Sequence, residues 1–157
     1  MKKQLTIIGP TQGILTGQSS VTIKVHEILS TSFERVRIVN NNFEGMHAAI
    51  KILSSLLAFG KSLIYLKSTD IFYISIKRGN LSLIFDYLII SLIKLLKKKI
   101  IIHLHGNEFF DPITYSSLIS KSLIKKNFYN SDHIICLNSY QKSHLTRMGF
   151  GSKTRIV

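Results

Sequence analysis

Residues 81–104 read Leu-Ser-Leu-Ile-Phe-Asp-Tyr-Leu-Ile-Ile-Ser-Leu-Ile-Lys-Leu-Leu-Lys-Lys-Lys-Ile-Ile-Ile-His-Leu. Two patterns meet in this stretch. Residues 81–98 form a strongly apolar helical pattern, with Ser82, Asp86, Lys94 and Lys98 spaced in multiples of four on one narrow polar stripe. Lys97, Lys98 and Lys99 close it, where cations suit the negative end of a helix dipole. Residues 100–104 are then apolar without alternation, apart from His103, as in a strand buried on both faces in the middle of a parallel sheet. The apolar stretch 81–96 contains Asp86 and Lys94 and is too short to span a bilayer.

The same alternation extends in both directions. Towards the N-terminus, residues 4–9 predict a strand closed by Gly9-Pro10, followed by a Gly-rich polar loop at 11–18. Ser19 is positioned to cap a helix running to residue 29. Residues 33–39 predict a second strand, and its Val36/Ile38 and Arg35/Arg37 alternation suggests the half-solvated strand of a sheet edge. Residues 46–65 predict a helix in which Met46, Ile50, Leu53, Leu57 and Ile64 fall near one face, with Gly60 as a break point. Residues 71–76 predict the third strand. Towards the C-terminus, a loop at 105–112 precedes a helix at 115–127 and a strand at 133–137. Asn138 caps the next helix, with Gln141 three residues on as in a capping box, and Gly149 ends it. A sixth strand begins at Thr154. This order predicts an α/β fold: one Rossmann-like domain over residues 1–157, a parallel β-sheet with helices on both faces. Ending on the first residues of a strand, the sequence reads as a fragment or a truncated product.

Composition narrows the function classes. Lys and Arg number 21 against 8 Asp and Glu, a net charge of +13. Such a balance favours anionic partners, and A/T-rich coding would produce the same excess of Lys, Ile and Asn. Lys far outnumbers Arg, which suits an anionic membrane surface better than base recognition, so no nucleic-acid partner is expected. Cys136 is the single cysteine and cannot staple the fold. No signal peptide is evident. The expected place is the bacterial cytoplasm, including the inner face of its membrane as a peripheral protein.

In open parallel sheets, ligands bind at the carboxyl ends of the strands. Three stretches occupy such ends: 9–20, 103–112 and 137–141. In the first, the glycines at 9, 13 and 17 are spaced four and four, which fits neither a P-loop nor a dinucleotide fingerprint. Backbone amides there suit a phosphate, and an ordinary strand-to-helix turn explains the loop equally. In the second, His103 and His105 point to one side of a strand. A metal would need a third ligand at a persuasive spacing, and none is present. His103 reads as a buried core residue. His105 reads as functional, with Gly106 admitting a ligand to the backbone and Asn107, Glu108 and Asp111 adding polar groups. In the third, Cys136 reads as core, and His133 lies on the opposite side of the strand from it.

Gly9-Pro10 with Gly17-Gln18-Ser19, the run His103 to Phe109, and the stretch Ser131 to Asn138 followed by Leu145, Gly149 and Lys153 to Val157 occur in the order found in another group of proteins. Over its whole length the chain resembles the N-terminal, acceptor-side domain of family-four glycosyltransferases, which pair two Rossmann-like domains in the GT-B arrangement. The resemblance implies transfer of a sugar from a nucleotide-sugar to a glycan or polyprenyl-linked acceptor, in lipopolysaccharide, O-antigen or capsule biosynthesis. It implies neither a metal nor another cofactor, the nucleotide-sugar being a substrate. It places Gly17, Gln18 and Ser19 on the border of the interdomain cleft, with Gln18 where the commoner form has a second glycine. His105 matches the histidine near the transferred sugar, as a hydrogen-bonding group of the transition state. Gly106, Asn107, Glu108, Asp111 and Asn138 are the further substrate-binding candidates. The donor domain of such enzymes is absent, so this chain alone is expected to be inactive. Two other readings stand beside this one: a non-catalytic half-domain that pairs with a separate donor-binding chain, and a basic nucleic-acid binder. Lys97, Lys98, Lys99, Lys125 and Lys126, beside apolar helices, would attract the domain to an anionic membrane.

Overall fold

A computed structural model describes residues 3–11, 17–41, 47–76, 80–106, 110 and 118–157. Strands and helices alternate along the chain: β1 (Gln4–Gly9), α1 (Gly17–Ser30), β2 (Arg35–Asn40), α2 (Ala48–Tyr65), β3 (Ile71–Ser75), α3 (Asn80–Leu95), β4 (Lys99–His103), α4 (Leu118–Asn130), β5 (His133–Cys136), α5 (Ser139–Arg147) and β6 (Thr154–Ile156). The fold is α/β and Rossmann-like, with an all-parallel sheet of six strands in the order β2-β1-β3-β4-β5-β6. The chain divides into two compact units, residues 1–75 and 76–157.

In the first unit β1 is central, paired with β2 on one side and β3 on the other. Leu5, Ile7, Ile8, Val39, Phe72 and Ile74 are buried. β2 is the edge that its alternating arginines suggest. Arg37 is half-buried rather than solvated, because its guanidinium lies over the Tyr65 ring of α2, 5.1 Å from the centroid. α1 begins at Gly17, so Ser19 sits inside its first turn, buried, instead of at the cap.

α2 runs unbroken through Gly60, and its orientation reverses the expected one. Ala58, Ser62 and Leu66 are buried, while Ile50, Leu53, Leu57 and Ile64 of the face picked out by helical periodicity are exposed; Met46, the fifth residue of that face, lies outside the described residues. The small face packs inward because Ala and Ser allow close approach. Ser62 satisfies its own hydroxyl by donating to the Ala58 carbonyl at 2.9 Å.

In the second unit β5 is central, paired with β4 and β6. α3 buries Leu83, Ile89, Ile90 and Ile93. Its narrow polar stripe is only partly solvated: Lys94 is exposed, Ser82 and Lys98 are half-buried, and Asp86 is buried. α3 ends at Leu95, three residues short of the periodic pattern, because Lys97 takes a left-handed conformation with φ of 56°. Phe128 of α4 meets Phe150 edge-on at 5.7 Å, and Cys136 and Leu145 fill the same core. Asn138 caps α5 as its sequence predicts, accepting from the Gln141 N–H at 2.9 Å. Gly149 ends that helix with φ of 90°.

Candidate functional site

The first unit presents the carboxyl ends of β1, β2 and β3. A Cβ at Gly9 would lie 3.0 Å from Thr22 of α1 and 3.2 Å from the Ser75 Cβ, so the glycine lets α1 sit close over the strand ends. Thr22 donates its hydroxyl to the Gln18 carbonyl at 2.9 Å. The Gln18 carboxamide turns towards β3 and donates to Ser75 Oγ at 2.7 Å. The Thr11 N–H is held by Asn40 Oδ1 at 3.0 Å. With Ser19 buried and Gln18 engaged with Ser75, open space remains beside Gly17, where an added Cβ meets nothing within 4 Å.

The second unit carries the other candidates. β4 ends at His103, Leu104-His105-Gly106 follow it, and the Leu104 N–H continues the ladder by donating to the Ile135 carbonyl at 3.0 Å. The two imidazoles do lie on one side, with ring centroids 4.1 Å apart and tilted by 35°. His103 is 3% exposed and His105 7%. Burial holds the His103 pKa down to about 3, helped by the neighbouring His105, and burial alone holds that of His105 at about 4. Both rings are therefore neutral at neutral pH. Nε2 of His105 is buried with no hydrogen-bond partner among the described residues. A neutral imidazole offers one donor and one acceptor nitrogen, so this atom has a hydrogen-bonding capacity that no described residue uses.

Gly106 follows with φ of 85°, a backbone that L side chains rarely adopt. The residue that fixes it is Gln141, in the first turn of α5 and fully buried. Its Nε2 donates to the Gly106 carbonyl at 2.9 Å, its Oε1 accepts from the Leu137 N–H at 2.7 Å, and its own N–H donates to Asn138 Oδ1. One side chain thus ties the loop after β4 to the loop after β5. Sequence reading assigned Gln141 only a capping role; the Asn-x-x-Gln spacing was its signal, but the side chain reaches Leu137 and Gly106 instead of the Asn138 N–H. Nearby in sequence, His144 stacks on Phe110 at 5.0 Å and meets Tyr140 at 4.5 Å. No spacing rule links Phe110 to His144, and this aromatic group was not anticipated.

The structure therefore brings Gly106 and Asn138 together through Gln141 and sets His105 beside Gly106 in the chain. Asn107, Glu108 and Asp111 lie outside the described residues. Among the described residues, no three His, Cys, Asp or Glu side chains converge as a metal-binding group. Cys136 is buried, with its thiol donating to the Arg155 carbonyl at 3.3 Å, and burial raises its pKa, which suits a core residue and not a nucleophile. A separate pocket of about 460 Å³ is lined by Tyr87 of α3 and by Ser122, Lys125, Lys126, Tyr129 and Asn130 of α4. Its α4 residues Tyr129 and Asn130 precede the amino end of β5, opposite the strand ends that carry His105 and Asn138.

No protein-family model matches the chain, and no curated protein matches it significantly. Among the described residues, no helix is long and apolar enough to cross a membrane.

Proposed function

We propose that the chain is the acceptor-side half of a glycosyltransferase that moves a sugar from a nucleotide-sugar to a glycan or polyprenyl-linked acceptor in bacterial cell-surface glycan synthesis. The observation that carries this reading is His105. It is a neutral imidazole at the carboxyl end of a parallel strand, with Nε2 unpartnered among the described residues and a positive-φ glycine beside it. Ligands bind such strand ends in open α/β sheets. A buried neutral histidine suits hydrogen bonding to a sugar hydroxyl. It does not suit general-base work at neutral pH, for which its pKa is too low. Gln141 ties Asn138 and Gly106 to the same strand ends, and these two are the further candidates for contact with that ligand. Gly17 leaves room at the start of α1. In this reading donor binding belongs to a second domain, and residues 1–157 supply the acceptor side.

The test is saturation-transfer NMR on the purified chain, with acceptor glycans, polyprenyl-phosphate analogues and UDP-, GDP- and dTDP-sugars as probes. Acceptor-class binding is expected, and His105→Asn should weaken it by about tenfold through loss of one buried hydrogen bond. Failure of every saccharide to bind would sink the reading. Sugar transfer by the chain alone would replace the half-enzyme reading with that of a complete enzyme.

A further inference from the structure

We infer that α2 is a membrane-docking helix whose aliphatic face enters the surface of an anionic bilayer. The inference stands on α2 alone and goes beyond the proposed sugar transfer, which it neither needs nor supports.

A helix that packs on a sheet ordinarily turns its apolar stripe inward and its polar stripe to water. α2 does the reverse. The buried side is Ala58 and Ser62, with half-buried Ser54 and Ser55 beside them. The solvent side is Ile50, Ile52, Leu53, Leu56, Leu57, Leu63 and Ile64. Leu53 is 59% exposed, Leu57 60% and Ile64 73%. At 100° per residue these positions form one continuous arc, about half the helix circumference. Gly60 falls within that arc, and a Cβ added there meets nothing within 4 Å. No polar residue interrupts the arc except Lys61 at its margin and Lys67, just past the helix end. Contiguous aliphatic surface of this kind marks a face that something apolar covers.

Charge selects the cover. α2 contains no Asp or Glu; its charged residues are Lys51 and Lys61, with Lys67 following. Lys61 and Lys67 are exposed. Long lysine stems beside an apolar face place ammonium groups at headgroup level while the face lies in the acyl boundary. A second copy of the chain would bring the same lysines, and the same net +13, against its own kind, which opposes self-pairing. An anionic bilayer supplies both the apolar medium and the counter-charge.

The chain contains no Trp, so Leu57→Trp creates a single reporter on this face. Vesicles of phosphatidylcholine with and without phosphatidylglycerol are the probe. The expected result is a blue shift of the indole at position 57 on anionic vesicles only, reversed by salt. In co-sedimentation with the same vesicles, Leu53→Glu and Leu57→Glu should each lower binding at least about tenfold. Because these side chains already face solvent, their thermal midpoints should stay near the parent's; if a Glu variant fails to fold, the indole shift still decides. Binding without an indole shift would mean that other lysines hold the membrane and would overturn the inference. So would equal binding to neutral vesicles, or a dimer in sedimentation equilibrium that Leu53→Glu dissociates. Saccharide binding is read separately by NMR, so either proposal can fail alone.

Discussion

His103 and His105 place two imidazoles 4.1 Å apart inside the second unit, and both are neutral in the folded chain. In the unfolded chain each titrates near its ordinary value of 6.5. Between that value and the folded values of about 3 and about 4, the unfolded state binds more protons, so stability rises with pH through this window and levels off above it. Acidification from neutral pH to about 4 should remove on the order of 3 kcal/mol per histidine, at about 1.4 kcal/mol per pH unit. Urea unfolding at a series of pH values checks this: His103→Gln/His105→Gln should flatten the slope, and an unchanged slope would mean that the acid sensitivity lies elsewhere. Gln141 makes a second residue-scale claim. Gln141→Ala strands the Gly106 carbonyl and the Leu137 N–H and should cost about 2–3 kcal/mol. Gln141→Glu retains an acceptor for Leu137 but turns an oxygen on the Gly106 carbonyl, so it should not rescue; full rescue in thermal unfolding would show that volume alone matters. Period two predicted that the two histidines share a side, because that follows from the pleat. The depth of His105 did not follow, since it depends on what closes over the strand end. Nor did the reach of Gln141 to Gly106, which rests on a contact 35 residues away in the chain.

Within the elements, the same device fixes register in both units. Asp70 precedes β3, accepts from the Gln4 N–H at 2.9 Å through its carboxylate, and returns its own N–H to the Gln4 carbonyl at 3.0 Å. Asp132 precedes β5 and does the same with Ile100 of β4, at 2.9 Å both ways. Each follows a small hydroxyl residue, Thr69 or Ser131, that is itself buried. Burial raises the Asp132 pKa, but the Ile100 N–H, Lys99 and Lys94 outweigh it, and the net shift is downward. Its contribution is therefore present at neutral pH and fades as pH falls below the usual carboxylate range. Asp132→Ala should cost about 2 kcal/mol at neutral pH, as for a hydrogen bond to a charged group, and less in acid, measured by chemical denaturation. At the end of α3, Lys97→Gly should stabilise by up to about 1 kcal/mol, because φ of 56° suits glycine; a loss in thermal midpoint would show that the lysine chain contributes more than the strain it bears. Strand positions were legible because short apolar runs bounded by turns have few other readings. Helix ends were less so: α4 runs to Asn130 where the pattern suggested residue 127, and residues 115–117 lie outside the described residues. α2 was legible in extent but not in orientation. Periodicity finds an apolar stripe; it does not say whether protein or something else covers it.

At the scale of the whole chain, that reversal separates the two units. The second unit buries most of the large apolar side chains found inside, from Leu83, Ile90 and Ile93 of α3 to Phe128, Leu145 and Phe150. The first unit relies on β1 and β3 with a little of β2, because α2 sends its aliphatic groups outward and contributes Ala58 and Leu66. Local stability follows buried apolar contact, so the units should open with different free energies. Native-state hydrogen exchange should find the amides of β4 and β5 slowest, near the global limit, and those of α2 among the fastest of the helical amides. Anionic vesicles should then slow exchange in α2 while leaving β4 and β5 unchanged, since a ligand that binds the folded helix suppresses its local opening. Protection of α2 equal to that of β5 without vesicles would mean that its small buried face holds it more firmly than its packing implies. The exposed aliphatic arc would then be a feature of a rigid surface, and the membrane would have no ordering to supply.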